Sequence, residues 1–278
     1  IVFSEFIQPG VPLVIFWLFV SAAVIIQGIS KSGFAGGAGI LSLPLMMLVM
    51  PVDKVAACLL PLLILCDMNA IYNHWRNKVW KHIFEIYLPA LVGIVLGAVV
   101  WWWVGREGVE QYGTPIKRFV GVIAILFGLY IVAKETSLRW VREHRAGPKT
   151  ALTAGVTAGF TSTIAHAAGP IVSLYVFSQG LGKTLFVGTV AWTFTLINLT
   201  KLPFYFYVGL IDLSVLKFDI WLIPLIPVGS YLGKWMHDKV SERLFNRVIM
   251  VLTIIAGTQL ILDINLIKLG LEIVFGRS

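Results

Sequence analysis

Long apolar runs separated by short polar connections cover most of this chain. Long runs occupy residues 11–27, 55–71, 84–104, 115–133, 185–199, 218–235 and 244–267, and half-length runs occupy 40–50, 151–160 and 171–179. A helix crossing a bilayer needs roughly 17–25 apolar residues. The long runs therefore predict membrane spans, and the half-length runs predict elements that enter the membrane without crossing it alone. The expected fold is all-α and integral to the membrane, with about eight to ten membrane segments. The longest polar connection, residues 134–150, leaves no room for a sizeable soluble domain. It divides the chain into a first membrane repeat (1–133), a basic cytoplasmic linker (134–150) and a second membrane repeat (151–278), with five segments on each side.

The two sides match in order. Residues 28–45, GISKSGFAGGAGILSLPL, align without a gap onto residues 159–176, GFTSTIAHAAGPIVSLYV. Gly28, Ile40, Ser42 and Leu43 recur as Gly159, Ile171, Ser173 and Leu174. Further along, Lys54, Asn69, Arg118, Val122, Ile125 and Gly128 recur as Lys183, Asn198, Arg247, Val251, Ile254 and Gly257, and Pro89 has a counterpart in Pro224. An ordered series of this length predicts a duplicated unit. In the first half the basic loop follows the third segment, at residues 76–81. In the second half Lys234, Lys239, Arg243 and Arg247 follow the fourth. Basic loops stay in the cytoplasm, so this displacement predicts an inverted repeat. Each half would then hold a re-entrant helix pair and three full spans.

Composition agrees with a membrane protein. Of 278 residues 58% are hydrophobic and only 13% are charged, against about 25% charged in soluble domains. The mean hydropathy is +0.87. The net charge of +8 sits mainly in short loops, where it sets topology and does not call for nucleic acid. Arg139, Arg142 and Arg145 on the linker suit the cytoplasmic membrane surface, and Trp101, Trp102 and Trp103 suit an aromatic belt. Cys58 and Cys66 share one apolar run and suggest neither a disulfide nor a metal site. The first apolar run lacks a basic leader and reads as a span. The five histidines are scattered and no nucleotide-binding loop is present, so no enzyme activity, metal or cofactor is expected.

Chemistry concentrates where the repeat breaks its own apolar runs. Backbone outside a helix in the bilayer core must face protein or a water-filled cavity. Gly33, Gly36, Gly37 and Gly39 permit tight turns in the first copy. In the second, Gly169 precedes Pro170, and proline suits the first turn of a helix. Half-helices are therefore expected to begin near Ile40 and at Pro170. Their N-termini would lie near mid-membrane, each a ready anion site. No acidic residue occurs in either stretch, which argues against a cation site. The candidate substrate-binding residues are Lys31, Ser32, Gly36, Gly37, Asn69, Ser162, Thr163, His166, Asn198 and Lys201. Lys31 is the sharpest, because a lysine in an apolar region is costly and usually functional; the competing reading is snorkelling to the surface. His166 suits either an anion contact or a backbone carbonyl of the broken helix. Asn69 and Asn198 suit interhelical hydrogen bonds as well as substrate. Lys201 shares a helix face with Asn198 if that helix passes Pro203. Asp67 suits either proton coupling or pairing with a basic group.

The run GFAGGAGILSLPL resembles the first-repeat signature of the TauE/SafE family, the sulfite exporter and toluene sulfonate uptake permeases. GFTSTIAHAAGPIVSLYV, followed by VGTVAWTFTLINLTKLPFY, resembles one branch of that family, although it reads AHAAGP where family repeats often carry glycines. The resemblance covers nearly the whole chain. It implies a multi-pass permease of the cytoplasmic membrane that carries a small sulfur anion such as sulfite, sulfoacetate or a taurine-like sulfonate. Export is the direction it suggests, while the thermodynamic direction depends on gradients. A passive anion channel is the alternative reading. Beyond the bilayer and the anion no partner is implied, no nucleic acid is expected, and homo-oligomerisation stays open.

Overall fold

A computed structural model describes residues 3–33, 37–143 and 146–264, which are helical nearly throughout and contain no strand. A short 3-10 turn, Ser4–Phe6, precedes α1 (Leu13–Gly33). A second 3-10 turn, Gly37–Leu41, leads into α2 (Ser42–Met47). Then follow α3 (Val52–His74), α4 (Trp80–Glu107), α5 (Val109–Glu143), α6 (Pro148–Ala165), α7 (Gly169–Ser178), α8 (Lys183–Tyr207), α9 (Leu213–Leu222), α10 (Leu225–Lys239) and α11 (Glu242–Leu262). Among the described residues, α1, α3, α4, α5 and α8 carry stretches long and apolar enough to cross a membrane. The α9–α10 pair, bent by 43°, makes a sixth. The protein is an all-α membrane protein.

Three boundaries differ from expectation. The first element of the second repeat is not half-length: α6 has 18 residues, because polar Thr161, Ser162 and Thr163 end the apolar run while the helix continues. The expected single span 218–235 is two helices. Pro224 and Pro227, three residues apart, remove two backbone donors where α4 has only Pro89 and stays continuous. The first ten residues of the expected linker extend α5 to Glu143; Arg145 lies outside the described residues.

The packing repeats under exchange of the halves. α4 packs on α6 and α1 on α10; α5 packs on α7 and α11 on α2. Two pairs of repeat mates pack directly on each other, α3 on α8 and α5 on α11. Their directions settle the relation between the halves. Gly121 of α5 meets Gly257 and Ile261, while Gly128 meets Ile254 and Met250. Rising numbers on one helix face falling numbers on the other. The same holds for α3 and α8, where Asp67 meets Asn198 and His74 meets Gly188. Equivalent helices run antiparallel, so the repeat is inverted.

Close approach between helices depends on glycines four residues apart, as is common where lipid provides no hydrophobic drive for association. Gly93 and Gly97 of α4 meet Val156, Phe160 and Thr163 of α6, Gly155 and Gly159 of α6 meet Ile86, Pro89 and Ala90 of α4, and Gly229 and Gly233 of α10 face Ile25, Gly28 and Ile29 of α1. A β-carbon on Gly93 would lie 2.0 Å from the Val156 carbonyl oxygen, and one on Gly159 would lie 2.1 Å from that of Ala90. Backbone cannot yield there as a flexible side chain would. Gly93→Ala and Gly159→Ala are therefore expected to cost about 1–3 kcal/mol each by overpacking. Gly105→Ala, with nothing within 4 Å of the added carbon, is expected to be neutral or stabilising by up to about 1 kcal/mol. Thermal unfolding of the purified protein in detergent compares the three.

Candidate functional site between the two helix breaks

Helix α6 stops because His166 adopts the left-handed conformation, with φ 49°, uncommon for a residue carrying a β-carbon. The backbone N–H groups of His166 and Ala167 turn back to the carbonyls of Ser162 and Thr161, the hydrogen-bond pattern of a helix ending on a left-handed residue. Helix α7 restarts at Gly169, one residue before the expected Pro170, whose missing N–H falls where no partner is needed. Carbonyls freed by the break need donors, because lipid supplies none. Trp101 Nε1 donates to the Thr163 carbonyl at 3.0 Å and the Tyr205 hydroxyl donates to the same oxygen. Lys201 Nζ donates at 3.1 Å to the Ser162 carbonyl, which also accepts from the His166 N–H.

In the first repeat, α1 runs through Lys31 and Ser32 to Gly33, and the 3-10 turn begins at Gly37. The α-helix proper starts at Ser42, two residues beyond the expected Ile40. The Gly39 N–H donates to Ser30 Oγ at 2.7 Å, and Ser42 Oγ donates to the Ala23 carbonyl at 2.8 Å. A β-carbon on Gly39 would fall 2.3 Å from Gln27 Oε1, so a larger residue there would displace the Gln27 amide, which also accepts from Ser42 Oγ.

Charged groups meet between the breaks. Lys31 of α1 forms an ion pair with Asp67 of α3, and the other oxygen of Asp67 accepts a hydrogen bond from Asn198 Nδ2 of α8 at 2.6 Å. The Asp67 side chain is fully buried. The Lys31 ammonium also lies 4.4 Å from the centre of the Phe194 ring, a favourable cation–π distance. Lys201, with 0% exposure, is surrounded by three acceptors: the Ser162 carbonyl, Ser162 Oγ at 3.0 Å and His166 Nδ1 at 3.1 Å. Three acceptors match the three N–H bonds of an ammonium group. His166 Nε2 lies 3.0 Å from the Ala56 carbonyl. A carbonyl only accepts, so Nε2 carries the proton and Nδ1 receives Lys201; His166 is neutral. Lys201 also sits at the C-terminal end of α6, where a cation complements the helix dipole. Two lysine side chains and one carboxylate meet at this centre.

A pocket opens onto this centre. Gln27, Lys31, Gly39 and Ile40 line it from the first break, and Ser162, His166, Ala168, Gly169 and Pro170 from the second. Leu63, Phe194 and Asn198 close it from α3 and α8. Of the expected residues, Lys31, Ser162, His166 and Asn198 meet at this pocket. Lys201 stands behind it, holding Ser162 and His166. Ser32 and Thr163 are not among the lining residues. The Thr163 hydroxyl donates to the Gly159 carbonyl at 2.8 Å. Asn69 donates to Ser230 of α10 at 3.2 Å, away from its mate Asn198. Gly37 begins the 3-10 turn, and Gly36 lies outside the described residues. One conditional expectation is met and another is corrected. Helix α8 passes through Pro203 to Tyr207, which puts Lys201 one turn beyond Asn198 on the same face. Trp101 is 1% exposed and caps the α6 break, so it is not a belt residue, whereas Trp102 and Trp103 are exposed. Its role was visible in the spacing Gly93, Gly97, Trp101, one face of α4 at intervals of four. Asp67, Gln27, Phe194 and Tyr205 complete the site. Among the described residues no cluster of ligating side chains suits a metal ion.

Trp101 and Tyr205 share one carbonyl, which yields a specific expectation. Removing either donor, as in Trp101→Phe or Tyr205→Phe, leaves the other in place and is expected to cost about 1 kcal/mol. The double variant strands a buried carbonyl and is expected to lose about 1–3 kcal/mol more than the two single losses together. A double-mutant cycle on thermal stability reads the difference.

No curated protein and no solved structure matches the chain. The family model described as sulfite exporter TauE/SafE matches residues 20–260, a stretch that holds both breaks and every residue lining the pocket. The chain belongs to the TauE/SafE sulfite exporter family, whose members are membrane transporters and not enzymes.

Proposed function

We propose that this protein is a secondary transporter of a small sulfur oxyanion, sulfite or a short organosulfonate, across the cytoplasmic membrane. The anion binds in the pocket between the two helix breaks, and the surrounding helices expose that pocket to one side of the membrane at a time. The observation that carries the reading is that the Lys31 ammonium group lines an inner pocket together with the polar side chains of Ser162, His166 and Asn198. Two features of the pocket agree. The start of α7, at Ala168, Gly169 and Pro170, borders it, and a helix N-terminus favours negative charge. Ser162 and Asn198 border it too, and hydroxyl and amide groups donate readily to sulfonyl oxygens. Family membership supports an anion as cargo. The choice among sulfite, sulfoacetate and taurine-like sulfonates, and the direction of net flux, belong to the gradients and to experiment.

Flux assays in proteoliposomes with sulfite and a panel of sulfonates test the reading. Lys31→Ala removes the pocket's ammonium group and is expected to weaken anion binding at least about tenfold, equivalent to about 1.4 kcal/mol. Asn198→Ala is expected to weaken it less, because its amide also holds Asp67. Lys117→Ala, remote on α5, is expected to leave flux unchanged. If Lys31→Ala and Asn198→Ala both transport every anion of the panel at the wild-type rate, the anion does not use this pocket.

A further inference from the structure

The ammonium group that faces the pocket is already engaged. Lys31 lines the cavity, yet it is ion-paired with Asp67, whose carboxylate lies behind the wall and is fully buried. An anion that reaches Lys31 meets a second negative charge bound to the same ammonium group. Two negative charges sharing one cation in a dry site repel strongly, and the usual resolution is a proton on one of them. An anion that instead pulls Lys31 away leaves Asp67 with Asn198 alone, a buried carboxylate without its counterion. Both routes have the same outcome.

We propose that Asp67 is the proton-coupling residue of this protein, taking up one proton as a monovalent anion takes Lys31, so that anion and proton load the centre together. This rests on the anion-binding reading above. The balance is simple. One proton moves from solvent to an Asp67 carboxylate oxygen, the Lys31–Asp67 ion pair becomes a Lys31–anion pair, and no covalent bond to carbon or sulfur changes. The centre carries the same net charge before and after loading. The loaded carrier therefore crosses no larger electrical barrier than the empty one, and transport of a monovalent anion is electroneutral.

The groups around Asp67 favour it as the proton's destination. Lys31 faces it from α1 and Asn198 from α8. Lys201, also on α8, gives its donors to Ser162 and His166. His166, between α6 and α7, has both ring nitrogens occupied, by the Ala56 carbonyl and by Lys201. Cys66, its chain neighbour on α3, is a buried free thiol. The described faces of α2, α5 and α10 toward α3 add no charged partner to the Asp67 carboxylate among its hydrogen bonds and ion pairs. From α9 the buried Asp219 faces Cys58 of α3, and among the described residues Asp67 alone is a carboxylate in contact with the pocket's cation.

Calorimetric titration of the purified full-length protein tests the proposal. The first probe is methanesulfonate, whose charge stays at minus one across the range from about pH 5 to pH 8 used to titrate protein groups. Sulfite is the second, with its own protonation subtracted. Binding heats in two buffers of different ionisation enthalpy give the protons taken up. Wild-type protein is expected to take up about one proton per anion, with affinity rising about tenfold for each unit fall in pH above the titration. Asp67→Asn, an uncharged isostere, is expected to bind more tightly than wild type near pH 8, without proton uptake and with flat pH dependence. A purely structural role for Asp67 predicts weaker binding and unchanged proton uptake. Anion binding by wild type without proton uptake overturns the coupling and leaves the anion site standing. Proton uptake that survives in Asp67→Asn overturns it too, because the proton then goes elsewhere. If neither probe binds wild type, the anion site falls and the coupling with it. Should the variant fail to fold, infrared difference spectra of wild type decide: a new protonated-carboxyl band on anion binding supports Asp67, and proton uptake without that band overturns it.

Discussion

A helix interrupted inside a bilayer leaves backbone groups that the surrounding hydrocarbon cannot satisfy, and the centre of this protein is built around meeting that demand. The break after α6 leaves the Thr163 carbonyl at the helix end and the Ser162 carbonyl with the His166 N–H as its backbone partner. Three side chains from two other helices reach them: Trp101 from α4, and Lys201 and Tyr205 from α8. Each of these side chains is buried. Each would be costly in the membrane interior without the partner the break provides. The interruption and its caps thus justify one another. Polar groups that lipid would exclude are retained because the broken backbone needs them, and the same groups form the wall of a polar cavity.

The two breaks are related by sequence but not by chemistry. In the aligned repeats Lys31 occupies the position of Ser162. In the first half the cation stands on the broken element and meets a carboxylate on α3. In the second the hydroxyl stands on the broken element and meets a cation on α8. Asn198 joins the two arrangements through Asp67. A symmetric scaffold therefore surrounds an asymmetric centre. A scaffold that must open to opposite sides of a membrane gains from symmetry, whereas a single bound ion has no need of it.

Much of the architecture was legible in the chain because membrane helices announce themselves by uninterrupted apolarity, and glycine and proline mark where they stop. Gly39 and the Gly169–Pro170 pair located both breaks to within a residue or two. The displaced cluster of Lys234, Lys239, Arg243 and Arg247 anticipated the inversion that antiparallel α5 and α11 display. Contacts made over long sequence distances were less legible. Nothing local to Lys201 identifies Ser162 and His166 as its partners, and Asp67 and Lys31 are 36 residues apart. Trp101 was hidden by its neighbours: three adjacent tryptophans resemble an interfacial belt, but a helix turns about 100° per residue, so one of the three points inward. The α9–α10 bend was hidden by symmetry, since Pro224 aligns with a proline that α4 absorbs.

The glycine seams constrain motion as well as packing. Gly93 and Gly159 fasten α4 to α6, and Gly229 and Gly233 fasten α10 to α1, with backbone against backbone. Each fastening joins an element encoded early in the chain to one encoded late. Duplicated ancestry and mechanical unit therefore do not coincide. Any body that moves as one along these seams is a chimera of both copies.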